Sequence, residues 1–390
     1  MGESAPWGID VTVVVPTYNT ERFLDEALTS AEQNSRVNLE ILAINDGSTD
    51  GSLEIMRAHE RLDPRVRVID KPNEGYGASV NRGFSEARGT YLAILEPDDW
   101  VEPHMYDDLF EYAESFDLKC PPDVVKSPYW RIWMPTTPME RRLYCPYYHR
   151  VDPVRQPFRV EDCPRMVQHH PSIWSALYRR GFIEEKGIRL KEAPGAGWVD
   201  NPFWYETMLQ ADTIVYLDRP YYCYREDLPG SSSANRVLRL SFERWNDMCD
   251  VCDRLGEDDP GVRRALATVA FRYAGEAVAR AGLEDEELRS LMAQMFSRVD
   301  EDVIVSLDNV SPQLRALALR LSGREAPRIS AAGYARGLVR EFGYALRCNG
   351  VGFAAAQTRL YLERRRSQDK RSEGFTEGGA EGAAGRTDKS

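Results

Sequence analysis

The first hundred residues alternate between short apolar runs and amphipathic segments, and this alternation constrains the fold more than any other feature. Residues 11–15, 39–44, 65–69 and 91–95 are rich in β-branched and aliphatic side chains, as in strands buried within a parallel sheet. The first three runs are each followed by apolar residues at helical spacing. Repeated strand–helix order favours a doubly wound sheet with right-handed crossovers. We therefore predict an α/β fold, with a mostly parallel sheet flanked by helices.

Polar loops follow three of these runs, at 16–19, 45–51 and 96–100. In open α/β sheets, ligands bind beyond the carboxyl ends of the strands, where such loops meet. The third loop carries Glu96, Asp98 and Asp99, whose carboxylates repel one another unless a cation lies among them. Mg²⁺ commonly uses one or two protein carboxylates together with phosphate oxygens. The alternative interpretation is that Asp98 or Asp99 caps the next helix.

Composition excludes several classes of protein. The net charge of −12 in 390 residues disfavours a general nucleic-acid binder, which needs a basic face. The seven cysteines are scattered and predict no disulfide framework, so a reducing cytoplasm is expected. We find neither a signal-peptide pattern nor an apolar run long enough to cross a bilayer. The glycine patterns of dinucleotide-binding and P-loop proteins are also absent from the sequence.

Four motifs occur in order and together resemble family 2 glycosyltransferases of the GT-A fold. They are Val-Pro-Thr-Tyr-Asn at 15–19, Asn-Asp-Gly-Ser-Thr-Asp-Gly at 45–51, Asn-Glu-Gly at 73–75 with Asn-Arg-Gly at 81–83, and Glu-Pro-Asp-Asp at 96–99. This resemblance covers about the first hundred residues. It implies an inverting enzyme that takes a nucleoside-diphosphate sugar, foremost a UDP-sugar, and uses Mn²⁺ or Mg²⁺.

The resemblance also implies roles for residues on the donor side. Tyr18 and Asp46 are expected to hold the base, with Asp46 accepting a hydrogen bond from its imide N–H. Glu96 replaces the first Asp of the family's acidic motif and is expected to contact the ribose, while its contact with the metal stays open. Asp98 is the expected metal ligand. The remaining predicted contacts with the nucleotide sugar are Pro16, Asn19, Asn73, Gly75, Asn81, Arg225 and Ser231.

Two later segments resemble the acceptor and closing parts of the same family. Asp200 matches the Asp of a Glu-Asp-x-x-Phe motif, with Val199 in place of the Glu, and the resemblance makes it the general base. The alternative is an N-cap for a helix over 202–209. Arg225 and Ser231 lie in a Tyr-x-Tyr-Arg…Pro-Gly-Ser segment that is expected to close over the diphosphate. An ion pair between Arg225 and a neighbouring acidic residue is the alternative.

Composition changes along the chain predict its domains. These are a glycosyltransferase domain at 1–235 (nucleotide-binding half 1–118, acceptor half 119–235), a helical region at 236–327, a basic amphipathic segment at 328–371 and a disordered tail at 372–390. The basic segment could lie on an anionic membrane or pack as a helix with a solvated basic face, and the sequence leaves both open.

The predicted function is transfer of a sugar to a hydroxyl of a glycan or lipid-linked acceptor, in polysaccharide or glycoconjugate synthesis. The expected location is the cytoplasm, with peripheral membrane contact through 328–371. One alternative is a degenerate subunit that binds a nucleotide sugar or glycan without transfer. A sugar-nucleotidyltransferase is disfavoured because 16–19 is not the glycine-rich, basic loop that it would need.

Overall fold

The computed structural model describes residues 8–195, 197–226 and 238–378. The chain divides into two compact units, Met1–Ala270 and Phe271–Ser390. The strands are β1 Val11–Thr17, β2 Leu39–Asp46, β3 Val66–Lys71, β4 Tyr91–Ile94, β5 Trp100–Val101, β6 Val124–Lys126, β7 Tyr129–Trp133, β8 Arg141–Tyr144, β9 Ala176–Arg179, β10 Ile214–Tyr216 and β11 Tyr222–Arg225. The helices are α1 Glu21–Glu32, α2 Ser52–Leu62, α3 Tyr76–Glu86, α4 Met105–Glu114, α5 Arg165–Gln168, α6 Arg180–Lys186, α7 Asp200–Gln210, α8 Leu238–Leu255, α9 Pro260–Ala281, α10 Glu286–Ser297, α11 Glu301–Ser306, α12 Pro312–Leu321 and α13 Ala332–Gly378.

The first unit is built on a seven-stranded sheet in the order β10-β6-β9-β4-β1-β2-β3. Its strands run parallel except β9, which is antiparallel to both β4 and β6. Every residue of β1 and β2 is buried, which explains why both strands read as apolar runs rather than as alternating patterns. The predicted mostly parallel α/β sheet is confirmed.

A second, four-stranded sheet has the order β5-β11-β7-β8. In it β11 pairs antiparallel with β5 and parallel with β7. Because β5 directly follows the Glu96–Asp99 turn, this pairing places β11 against the acidic loop. Strands β6, β7 and β8 all lie within residues 121–171.

The second unit is helical, as the sequence predicted. Its buried side chains include Leu288, Met292, Phe296 and Leu319, contributed by α10 and α12. In α13, Gly350 has a φ of 80° and interrupts the helical conformation. Among the described helices, none combines the length and the apolar character needed to cross a bilayer. Residues 379–390 of the predicted tail lie outside the described part of the chain, whereas 372–378 belong to α13.

Candidate active site

The loops that follow β1 and β2 are joined by hydrogen bonds at the carboxyl edge of the sheet. The backbone N–H of Asn19 donates to Ser48 Oγ at 3.1 Å, and Asn19 Oδ1 accepts from the N–H of Thr49 at 2.8 Å. Asn19 has a φ of 54°, a left-handed conformation that asparagine tolerates. Pro16 lies within β1, and Tyr18 projects from the loop with 51% of its surface exposed. The structure thus leaves the Tyr18 ring open to a ligand.

Asp46 is buried at the end of β2 and organises the turn after β3. Its Oδ1 accepts from the N–H of Glu74 and its Oδ2 from the N–H of Gly75, both at 2.9 Å. Lys71 forms an ion pair with the same carboxylate. Each carboxylate oxygen can accept two hydrogen bonds, so Oδ2 keeps capacity for one further donor. Asn73 lies exposed in the same turn.

Two glycines let segment 190–195 cross closely over the start of α3. Gly75 has a φ of 94°, and a Cβ there would lie 2.5 Å from the carbonyl oxygen of Ala193. A Cβ at Gly77 would lie only 2.2 Å from the carbonyl oxygen of Lys191. The contacts are with backbone atoms, which cannot move aside as a flexible side chain would. Both positions therefore require glycine.

Asn81 holds the same segment from the buried face of α3. Its Nδ2 donates to the carbonyl of Leu190 at 2.9 Å and to Oε1 of Glu192 at 3.0 Å. Its Oδ1 accepts from the N–H of Leu190 at 2.9 Å. The predicted contact between Asn81 and the nucleotide would compete with these three hydrogen bonds. Asn81 therefore holds segment 190–192 in place, and its contact with the nucleotide stays a prediction.

Glu96 lies among other acidic groups beyond β4. Its Oε1 accepts from the hydroxyl of Tyr76 at 2.5 Å, and its backbone N–H donates to the hydroxyl of Tyr222 at 3.0 Å. Burial raises the pKa of Glu96 to about 8; the Asp98 and Asp200 carboxylates raise it as well, and the Tyr76 hydrogen bond opposes the shift. At neutral pH, Glu96 is therefore mostly protonated in the absence of a cation.

Asp99 is fully buried and does not cap a helix. The strand β5 follows it, and α4 begins later, with His104 at the N-cap position. Asp99 Oδ1 accepts from the N–H of Arg225 at 2.7 Å, whereas Oδ2 has no hydrogen-bond partner within the described residues. Burial and the neighbouring Asp98 raise the pKa of Asp99 well above its usual range. The helix-cap interpretation of this loop is wrong.

Asp98 is half-buried beside these groups, and burial raises its pKa while Arg225 opposes the shift. No group of three or more His, Cys, Asp or Glu side chains within the described ranges is arranged to hold a metal ion. The orphaned Asp99 Oδ2 and the Asp98 carboxylate nevertheless fit a Mg²⁺ or Mn²⁺ ion that takes its other ligands from phosphate and water.

Asp200 is the first residue of α7, and Val199 occupies the N-cap position. The interpretation of Asp200 as the cap is therefore wrong. The Asn201 side-chain amide donates to Asp200 Oδ1 at 3.0 Å. Burial raises the pKa of Asp200 to about 6. The Asp200 charge in turn raises the pKa of Tyr76 and of Glu96, so its electrostatic influence extends to the acidic loop after β4.

Arg225 is buried between two aromatic rings. Its guanidinium carbon lies 4.7 Å from the ring centres of both Phe23 and Trp100. Its Nε donates to the carbonyl of Asp98 at 2.8 Å, and Nη2 contacts the Glu26 carboxylate at 2.8 Å. Arg225 thus holds the backbone of the acidic loop. The alternative pairing with Glu226 is wrong, because Glu226 pairs with Arg131; the other candidate, Asp227, lies outside the described residues.

Three residues of this site were missed by sequence reasoning. Tyr76 directly follows the Asn-Glu-Gly motif, and its contact with Glu96 depends on how α3 packs. Tyr222 stacks on Trp174 with ring centres 4.0 Å apart, and Glu26 lies on an otherwise ordinary helix face. Tyr222 is the first tyrosine of the Tyr-x-Tyr-Arg segment, whereas no local pattern marks Tyr76 or Glu26. Ser231, predicted to contact the diphosphate, lies outside the described residues.

The chain resembles known proteins in both sequence and fold. The glycosyltransferase EpsJ of Bacillus subtilis is 31% identical over 56% of this chain and 61% of its own length. Chondroitin synthase of Pasteurella multocida is 35% identical over 28% of this chain and 12% of its length. TarS 1–349 of S. aureus, solved with UDP-GlcNAc, superposes with a TM-score of 0.65 at 18% identity, covering 84% of this chain and 92% of that one.

The likeness to TarS shows the fold alone, and this chain spans about three fifths of the length of EpsJ. The family profile of Glycosyl transferase family 2 matches residues 12–183, which include β1 to β4 and the acidic loop. Residues 12–183 therefore carry a domain of the type described as Glycosyl transferase family 2, with a GT-A-like fold.

Proposed function

We propose that the protein transfers a sugar from a UDP-sugar to an acceptor hydroxyl by a single displacement that inverts the anomeric centre. One observation carries this proposal. The charge of Asp200, on α7, raises the pKa of Glu96, in the loop that also holds Asp98 and Asp99. The proposed base and the candidate metal-binding loop, more than one hundred residues apart in sequence, therefore interact electrostatically.

The donor nucleotide is proposed to lie over the loops that follow β1, β2 and β3. The exposed Tyr18 ring suits stacking on a base, and Asp46 Oδ2 retains capacity to accept from an imide N–H. Pro16, Asn19, Asn73 and Gly75 border the same edge, and Glu96 faces the ribose. The fold neighbour TarS is solved with UDP-GlcNAc, so UDP-sugars are the first donors to test.

The leaving diphosphate is proposed to meet Asp98 through a divalent cation. Asp98 and Asp99 would hold that ion, which supplies positive charge to the leaving group when bound. Arg225 holds this loop in place: its Nε donates to the carbonyl of Asp98, and its backbone N–H donates to the carboxylate of Asp99. A preorganised loop needs little rearrangement as charge develops on the leaving oxygen.

Asp200 is proposed to remove the proton from the acceptor hydroxyl. With a pKa of about 6 it is ionised at neutral pH, yet it is a stronger base than an ordinary carboxylate. The acceptor is proposed to be a glycan or a lipid-linked sugar in polysaccharide synthesis. The match to a chondroitin synthase supports a polymer, because that relative is named for the polysaccharide it makes.

The test begins with thermal unfolding of the purified protein against a panel of UDP-sugars, with and without Mn²⁺. Ligand binding raises the apparent stability, so the cognate donor is expected to raise Tm only when Mn²⁺ is present. UDP release is then measured for the parent and for Asp98→Asn, with Asp258→Asn at an exposed site as the control. The proposal is supported if Asp98→Asn loses UDP release while Asp258→Asn keeps it.

Two outcomes would contradict it. Donor binding without any release of UDP, even with candidate acceptors, would identify the degenerate binding subunit. The absence of Mn²⁺-dependent binding for every nucleotide sugar would remove the metal-assisted mechanism.

A further inference from the structure

The N-terminal part of α13 presents a row of large apolar side chains to solvent. Val339, Phe342 and Leu346 are 73%, 46% and 41% exposed, respectively. Their spacing of three and four residues puts them on one face of the helix. The other face packs within the second unit, since Ala345 is buried and Gly337 lies close to the carbonyl oxygen of Asp308. The exposed row is therefore not the packing face of the helix.

Three arginines border this row. Arg336, Arg340 and Arg347 are spaced by four and seven residues, which aligns them along one side of the same exposed surface. None of them forms an ion pair with an acidic side chain within the described residues. Between positions 326 and 359 the only acidic residue is Glu341, against five arginines. This surface is positive in a chain whose net charge is −12.

An apolar row with an arginine border fits the interface of an anionic bilayer. Apolar side chains can enter the region between headgroups and acyl chains while arginines contact lipid phosphates. A protein partner fits less well, because three large side chains fall short of the roughly 800 Å² per partner in a stable interface. A second copy would also bring two arginine borders near each other.

We propose that the surface formed by Arg336, Val339, Arg340, Phe342, Leu346 and Arg347 docks the protein on an anionic membrane. The contact lies at the surface of the bilayer, with the helix parallel to it. The inference does not depend on the proposed transfer reaction.

The experiment is flotation of the full chain with vesicles of phosphatidylcholine alone or mixed with phosphatidylglycerol. Parent protein is expected to float with the mixed vesicles and to remain in solution with phosphatidylcholine. The triple variant Arg336→Gln/Arg340→Gln/Arg347→Gln is expected to bind about a hundredfold more weakly, since each arginine near an anionic surface contributes about fivefold. The matched control removes the same charge elsewhere at exposed arginines, as Arg61→Gln/Arg155→Gln/Arg320→Gln, and should bind like the parent.

A second variant, Val339→Asn/Phe342→Asn/Leu346→Asn, tests the apolar row without changing charge. It is expected to lose vesicle binding while remaining folded, as shown by a cooperative thermal transition, because none of the three side chains is fully buried. Equal binding by the parent and the arginine variant would overturn the proposal, as would a parent that binds neither vesicle type. A concentration-dependent dimer that this variant abolishes, with no vesicle binding by the parent, would overturn it in favour of self-association.

Discussion

The substitution Asp200→Asn tests catalysis and stability together. The pKa of Asp200 is raised to about 6, roughly two units above that of an unfolded chain, because burial disfavours its charge. The native state therefore binds the proton more tightly than the unfolded state between about pH 4 and 6. The free energy of unfolding of the parent therefore falls as pH rises through this window, and above the window it has lost the full contribution of the buried proton.

A shift of two pKa units corresponds to at most about 3 kcal/mol in the free energy of unfolding, and access of water to the half-buried side chain reduces this to about 2 kcal/mol. Asp200→Asn keeps the shape but removes the charge. We expect the variant to unfold about 5 °C above the parent at pH 8 and to show no such gain at pH 4. Over the same range it should lose release of UDP, because an amide cannot accept the acceptor's proton.

The assays are thermal unfolding between pH 4 and 8 and donor turnover at saturating Mn²⁺. In the parent, kcat/KM should fall tenfold per unit below about pH 6. Asp258→Asn, at an exposed site, controls for the loss of one negative charge. Full turnover by Asp200→Asn would refute the role as base, and an unchanged Tm at pH 8 would refute the burial argument.

Two further substitutions test other parts of the domain. Gly77→Ala places a Cβ 2.2 Å from the Lys191 carbonyl oxygen, so we expect segment 190–195 to shift and kcat to fall at least tenfold. The control is Gly343→Ala, which adds a Cβ in open space on a helix and should leave turnover unchanged. Lys126 is buried and its pKa is lowered well below the usual range by that burial, so the unfolded chain binds the proton more tightly. Lys126→Met also loses the hydrogen bonds of Lys126 to Ser172, so the test is the pH dependence: Tm of the variant minus Tm of the parent should be higher at pH 6 than at pH 9. An equal difference at both pH values would contradict the argument.

The parts of the fold that are determined locally could be predicted from the sequence. Residues of β1 and β2 are buried on both faces, and the aliphatic runs in their sequences predict this burial. The helices α10 and α12 follow from their apolar periodicity. The short helix α11 lies within the predicted helical region, although its six residues contain too few turns for a periodic signal of their own.

The second sheet could not be predicted in the same way. It pairs β5 with β11, strands separated by more than one hundred residues, and β5 has only two residues. The positions of Asp98 and Asp200 followed from the family resemblance. The contacts of Tyr76 with Glu96 and of Glu26 with Arg225 could not be predicted, because they arise only when distant elements pack around the sheet edge.

The close crossing at Gly75 and Gly77 bears on how this domain could be recombined with those of its relatives. Engineers who exchange acceptor specificities would naturally join the first half of one protein to the second half of another. Here α3 belongs to the first half, while the segment that it holds belongs to the second and leads into Asp200. A junction anywhere between α3 and this segment would take two closely packed backbone surfaces from different parents. Productive chimaeras should therefore inherit α3 and segment 190–200 from the same parent.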